Sequence, residues 1–360
     1  MAPGPTRSQP DRFSGPELKM AETFNPRQAV KGLLQGIAPP RALYLPIVFS
    51  LGARIENLAL RNFLSNPTKI SNALRQIRTH LRSDGLTCYF DPFLEAEAMG
   101  GVLDWDAEGQ RAKLSWPQLG ERGGLPGRLR SPQDAAKSGR VPAAVEVITR
   151  LKPFAKGQTL LTAGVTGPIT LSALLTQMND TNGNLDRDPD ATAMDLAGEV
   201  TAAVARAFVE AGAELIFIRE QVLPSLTAET AAEWTTRLAT TINIVRFYEA
   251  LPVLLLTCQG ATAANSSLIA GQEWDCVLCA ETRSMSSSGF GSFAALGPSK
   301  LGVALPPAFF ESNGTNAEGV ARAVSPAIPD LRPTVITTAG DVSASVDVKQ
   351  LNKLWEEVCG

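Results

Sequence analysis

Eight short apolar runs recur along the chain with helix-patterned segments between them, and this alternation constrains the fold more than any other feature. The runs cover residues 43–49, 86–90, 159–165, 214–218, 253–258, 275–279, 301–305 and 334–338. Several, such as Val253 to Cys258, are apolar almost throughout rather than alternating, which predicts parallel strands covered on both faces. Helical spacing predicts helices over 66–83, 142–155, 168–179, 192–212, 226–249 and 346–358, with shorter ones near 265 and 317. Within 192–212, Leu196, Val200, Val204 and Phe208 recur every four residues before an Ala-Gly-Ala stop. Eight strand and helix units in order predict an α/β protein of the (β/α)8 TIM-barrel class. A doubly wound open sheet is the alternative, but no GxGxxG follows the first run to support it.

At 360 residues the chain fits one such barrel. Residues 1–19, rich in Pro, Gly, Ser and charge, predict a disordered leader, leaving 20–360 as a single barrel domain. An insertion around 101–140 carries Trp105, Trp116 and a Gly/Arg/Pro-rich run at 120–130. Leaving the barrel after the second strand, it lies on the face where barrel enzymes carry their sites. Whether it covers the site or forms a solvated loop stays open.

Lys and Arg number 33 against 36 Asp and Glu, with no basic cluster interleaved with aromatics, so no nucleic-acid surface is expected. No apolar run nears the ~20 residues of a membrane helix, and a secretory-type stretch is missing, so a cytoplasmic protein is expected. The five cysteines, an odd number, lie mostly within apolar runs and predict reduced, buried thiols. Cys276 and Cys279 would point to opposite faces of a strand and so could not chelate one metal without a turn. His80, the single histidine, falls late in a helix among polar neighbours, which argues against Ser-His-Asp or Cys-His catalysis.

Chemistry concentrates at 88–100, where a strand ends in Asp91, Glu95 and Glu97. Asp91 reads as a catalytic acid or as a helix N-cap. Glu95 and Glu97 read as substrate contacts or as solvated carboxylates. Arg219 and Glu220 follow the fourth strand and could orient a substrate carboxylate, or pair with each other. Asp341 follows the eighth strand, where it could equally begin a turn. Cys258 ends the fifth strand as a reactive thiolate or a plain core cysteine.

The segments Tyr89 to Gly100, Gly164 to Leu171, Ala211 to Ile218 and Pro252 to Gly260 together resemble the uroporphyrinogen decarboxylase superfamily, which includes corrinoid and thiol methyltransferases. The resemblance spans most of 25–358 and implies a (β/α)8 barrel. It puts Asp91 where the decarboxylases keep the aspartate that stabilises a cationic intermediate, work suited to a buried carboxylate. From their places after strand ends, Arg54, Arg219, Glu220, Glu95 and Glu97 are the candidate substrate contacts. The arginine-bearing segment after the first strand of the decarboxylases reads here as Ser50 to Ile55, with Arg54 its one guanidinium. Leu174 and Asp341 stand where a tyrosine and a histidine are expected. These departures point to decarboxylation of a carboxylated small molecule other than uroporphyrinogen III, without a cofactor. In the methyltransferase branch a zinc site would fall at Leu256, Cys258 and Asp341, of which Cys258 and Asp341 could bind metal, with a corrinoid methyl carrier or a methylated thiol. Such an enzyme would partner a corrinoid protein; a homodimer fits either branch, and a ligand-binding barrel without turnover is the third reading.

Overall fold

The computed structural model describes residues 24–117, 124–155, 157–177, 190–257, 263–280, 300–310 and 333–359. The expected leader and the helix near 317 lie outside them. All eight expected barrel strands form: β1 (Leu43–Leu45) and β2 (Gly85–Tyr89) come first. A hairpin, β3 (Val102–Trp105) and β4 (Ala112–Ser115), interrupts the series. Then follow β5 (Leu160–Thr166), β6 (Leu215–Glu220), β7 (Leu251–Leu256), β8 (Cys276–Ala280), β9 (Leu301–Leu305) and β10 (Val335–Thr338).

The barrel strands form one parallel sheet in the order β1, β10, β9, β8, β7, β6, β5, β2, so a (β/α)8 barrel closes almost completely. Every residue of β5, β6 and β7 is buried, as expected for strands flanked by helices outside and packed side chains inside. The helices Pro67–His80, Val141–Leu151, Ala191–Ala211 and Ala228–Phe247 follow the sequence pattern to within a few residues. In Ala191–Ala211 the buried stripe includes Val200, Val204 and Phe208, and the helix stops at Gly212, whose φ of 118° suits a residue without Cβ.

Strand pairing stops between β1 and β2, where the sheet would otherwise close. Asp84, just before β2, spans that seam. Its Oδ2 accepts the Tyr44 N–H at 2.8 Å, while its own N–H donates to the Tyr44 carbonyl at 2.9 Å. Arg41 grips the same carboxylate from two nitrogens at 2.7 and 2.8 Å. A Cβ on Gly85 would lie 2.6 Å from Leu45 Cδ2, so glycine there lets the edge strands pack closely.

The insertion is ordered by its hairpin, which pairs Val102 with Ser115 and Trp105 with Ala112. Its turn returns to the barrel, the Gly109 carbonyl accepting the Arg61 N–H at 2.9 Å. Trp116 donates from Nε1 to the Leu174 carbonyl at 3.0 Å. The Arg130 side chain donates to the Ala98 carbonyl at 2.9 Å. The insertion thus packs on helices that follow β1, β2 and β5. No helix among the described residues is long and apolar enough to cross a membrane.

Candidate active site

A cavity of about 450 Å³ opens among the loops at the carboxyl ends of the strands. Phe49, Leu60, Leu64, Phe90, Pro306 and Pro307 supply apolar walls, and Asp91, Arg219, Gln221, Thr257 and Asp341 supply polar ones. These residues follow β1, β2, β6, β7, β9 and β10 or end them, so the barrel brings together groups up to 292 positions apart, as between Phe49 and Asp341. Asp91, Arg219 and Asp341 are the expected site residues that line this cavity.

Asp91 lies two residues beyond β2. Its Oδ1 accepts the Phe93 N–H at 2.7 Å, a local turn of the kind aspartate favours. Oδ2 accepts a bond from Arg140 at 2.6 Å. Arg140 also donates from Nε to Glu97 Oε2 at 2.6 Å, so one guanidinium joins two carboxylates. Burial works against the Arg140 charge, but Asp91, Tyr89 and Glu97 outweigh it and its pKa is raised. One guanidinium is thus shared between two carboxyl groups beside the cavity.

Arg219, the penultimate residue of β6, is only 7% exposed. Its guanidinium lies 5.4 Å from the Phe90 ring centroid and donates to the Pro92 carbonyl at 3.3 Å. Burial lowers its pKa, opposed by the neighbouring Glu95, Asp91 and Glu220 carboxylates. A guanidinium carries five N–H donors, so its one carbonyl partner among the described residues leaves capacity for an anion in the cavity.

Glu220 is the next residue, yet its side chain serves the fold. Its carboxylate accepts from Ile169 N–H at 3.1 Å, Thr170 N–H at 2.8 Å, Thr170 Oγ1 at 2.6 Å and Trp234 Nε1 at 3.0 Å. Glu220 therefore neutralises the free N–H groups at the start of the helix Pro168–Thr176. Burial nevertheless raises its pKa to about 7. A Cβ on Gly167 would fall inside this carboxyl group.

Glu95 is likewise buried and turned away from the cavity. Its oxygens accept the Thr166 N–H at 3.0 Å and Thr166 Oγ1 at 2.8 Å, and burial raises its pKa to about 7. Glu97 is held by Arg140. The exposed Arg54 donates to the Val346 carbonyl at 3.4 Å and does not line the cavity. Of the expected substrate contacts, Arg219 lines the cavity, whereas Glu95, Glu97, Glu220 and Arg54 bond to other groups.

Asp341 accepts the Phe49 and Ser50 N–H groups, both at 2.8 Å, fastening the loop after β10 to the loop after β1. Burial raises its pKa to about 6, countered by these bonds, while the Asp91 charge raises it further. Cys258 lies outside the described residues, and Cys88, Cys276 and Cys279 are buried and reduced. Among the described residues no three His, Cys, Asp or Glu side chains gather as a metal site. His80 is exposed at a helix end and bonds with Thr79.

Arg140 is the functional neighbour that sequence reasoning missed. It follows a glycine near the end of the insertion, 49 residues from Asp91, and no local pattern marks it. Phe49, and the threonines Thr166 and Thr170 that bond Glu95 and Glu220, also become visible only once the barrel is assembled.

An eight-stranded parallel barrel with its charged cavity at the carboxyl ends of the strands defines the (β/α)8 class in which enzymes place their sites. The uroporphyrinogen decarboxylase (URO-D) family model matches residues 34–286, and the chain belongs to this family. Among solved structures it is similar to a methyltransferase from Methanosarcina mazei, with 16% identity over 93% of this chain and 98% of that one and a TM-score of 0.71. A homocysteine methyltransferase from Escherichia coli aligns with 12% identity over 92% of this chain and 99% of that one, at a TM-score of 0.45. No curated protein matches the sequence.

Proposed function

We propose that this URO-D family member is an enzyme that decarboxylates a compact carboxylated molecule other than uroporphyrinogen III. The observation that carries the reading is the pairing of Arg219 and Asp91 on one cavity with apolar walls. Arg219 holds a substrate carboxylate with its unused N–H donors. Asp91, anchored by Phe93 N–H and Arg140, faces positive charge that develops in the substrate. A carboxylate fixed in advance needs no reorganisation as that charge appears, and the apolar walls strengthen the interaction. Among the described residues Arg219 is the one cationic side chain lining the cavity, a poor match for a substrate with many carboxylates.

The test is CO2 release from a panel of small aromatic and heteroaromatic acids. Turnover by the native protein and its loss in Asp91→Asn supports the reading. Turnover that survives Asp91→Asn removes Asp91 from its centre.

Methyl transfer is the second reading, supported by the fold shared with the Methanosarcina mazei methyltransferase. A thiolate-activating zinc takes three protein ligands, commonly sulfur or imidazole, with one open position. The described residues do not fit it: the cavity offers the carboxylates of Asp91 and Asp341, both already engaged by hydrogen bonds. Methyl transfer from methylcobalamin to a thiol, retained in Asp91→Asn, would favour this reading over decarboxylation.

A further inference from the structure

The cavity is electrically divided. Arg219, more than nine-tenths buried, brings a cation with spare donors. Asp91 and Asp341 bring two carboxylates to the same space. The Arg140 charge does not cancel them, because Glu97 shares it at the same 2.6 Å as Asp91. Asp341 is bound by two backbone N–H groups and by no cationic side chain among the described residues. Between these groups the walls are rings and aliphatic chains, including Phe49, Phe90, Leu60 and Leu64.

A ligand that is only a carboxylate satisfies Arg219 and leaves both aspartates facing its apolar body. A ligand that is only a cation satisfies the aspartates and leaves the buried guanidinium with its one carbonyl. In each case one sign of charge on the cavity wall gains nothing from the ligand, so only part of the charge-assisted bonding on offer is used. We infer that the substrate is zwitterionic: a compact, ring-bearing molecule whose carboxylate meets Arg219 and whose permanently cationic or protonated nitrogen meets Asp91 and Asp341. This deepens the decarboxylase reading and rests on its assignment of Arg219 as the carboxylate anchor.

Calorimetric titration of the full chain with matched probes tests it. Phenylalanine and 4-(aminomethyl)benzoate present the zwitterion with short and long charge separation. 4-Methylbenzoate and 4-methylbenzylamine present one charge each on a similar ring. At least one zwitterion is expected to bind about tenfold more tightly than either single-charge probe, the scale of one added charge-assisted hydrogen bond. Asp91→Asn should remove most of that preference while leaving 4-methylbenzoate affinity within about twofold. Binding of 4-methylbenzoate as tight as that of both zwitterions, or no zwitterion binding at millimolar concentration, overturns the inference. A zwitterion preference without CO2 release from any acid would leave the ligand class standing and remove the reaction.

Discussion

Arg140 and Asp91 meet at 2.6 Å although 49 residues separate them and both side chains are less than a tenth exposed. The bond attaches the end of the insertion to the loop that carries the candidate catalytic carboxylate. It makes the 101–140 segment part of the site's construction.

Removing that guanidinium strands Asp91 and Glu97 side by side. Arg140→Met is expected to destabilise the fold by roughly 3–5 kcal/mol, the usual cost of removing one partner from a buried ion pair. Urea unfolding monitored by tryptophan fluorescence measures it. Adding Asp91→Asn to Arg140→Met should recover part of the loss, since the stranded charge is gone.

Arg219→Met should weaken binding of a carboxylated ligand by about 10- to 100-fold, the loss expected of a buried charge-assisted hydrogen bond. Arg219→Lys should recover little, because an ammonium cannot reproduce the planar fork of donors beside Phe90. Titration of both variants with one carboxylated probe checks this. Equal affinity in native protein and Arg219→Met would remove the anchor.

Three buried carboxyls make stability depend on pH in an unusual direction. Burial raises Glu95 and Glu220 to about 7 and Asp341 to about 6. A group whose folded pKa lies above its unfolded value binds its proton more tightly when folded. Its contribution is complete below the unfolded value near 4 and is lost as pH rises through the folded value. These groups should therefore lower stability progressively between about pH 4 and 7. Urea midpoints across that range in native protein and Glu95→Gln check the sign: the slope should flatten in the variant.

Asp84 closes the seam, so Asp84→Ala should cost about 1–3 kcal/mol by leaving Arg41 and the Tyr44 N–H without that acceptor. Hydrogen exchange at the Tyr44 amide should accelerate in the variant. Unchanged protection there would show that the carboxylate contributes nothing to closure.

The barrel was legible because apolar runs and helical stripes are local signals. Val253 to Leu256 announces a doubly covered strand by its own composition, and Val200, Val204 and Phe208 announce a buried stripe by their spacing. The hairpin escaped because it is short, half exposed and lacks a strict alternation of apolar residues. Asp91, Arg219 and Asp341 could be suspected because each follows or ends a strand. The sequence gives no direction to a side chain, however. Arg219 and Glu220 are adjacent, yet strand alternation turns one to the cavity and the other to a helix start. Arg140 was invisible because its partners are chosen by tertiary packing.

The open seam has a consequence for the walls of the cavity. Phe49 rides on the chain leaving β1 and Phe90 on the chain leaving β2, the neighbouring strands that no ladder of backbone bonds joins. Parting them stretches a few bonds around Asp84 and Tyr44, whereas parting any other pair breaks a full strand ladder. The two aromatic walls therefore stand on either side of the place where the described strands lack a pairing ladder. On the side where both rings stand, the barrel is fastened by one buried carboxylate before β2 in place of a strand ladder.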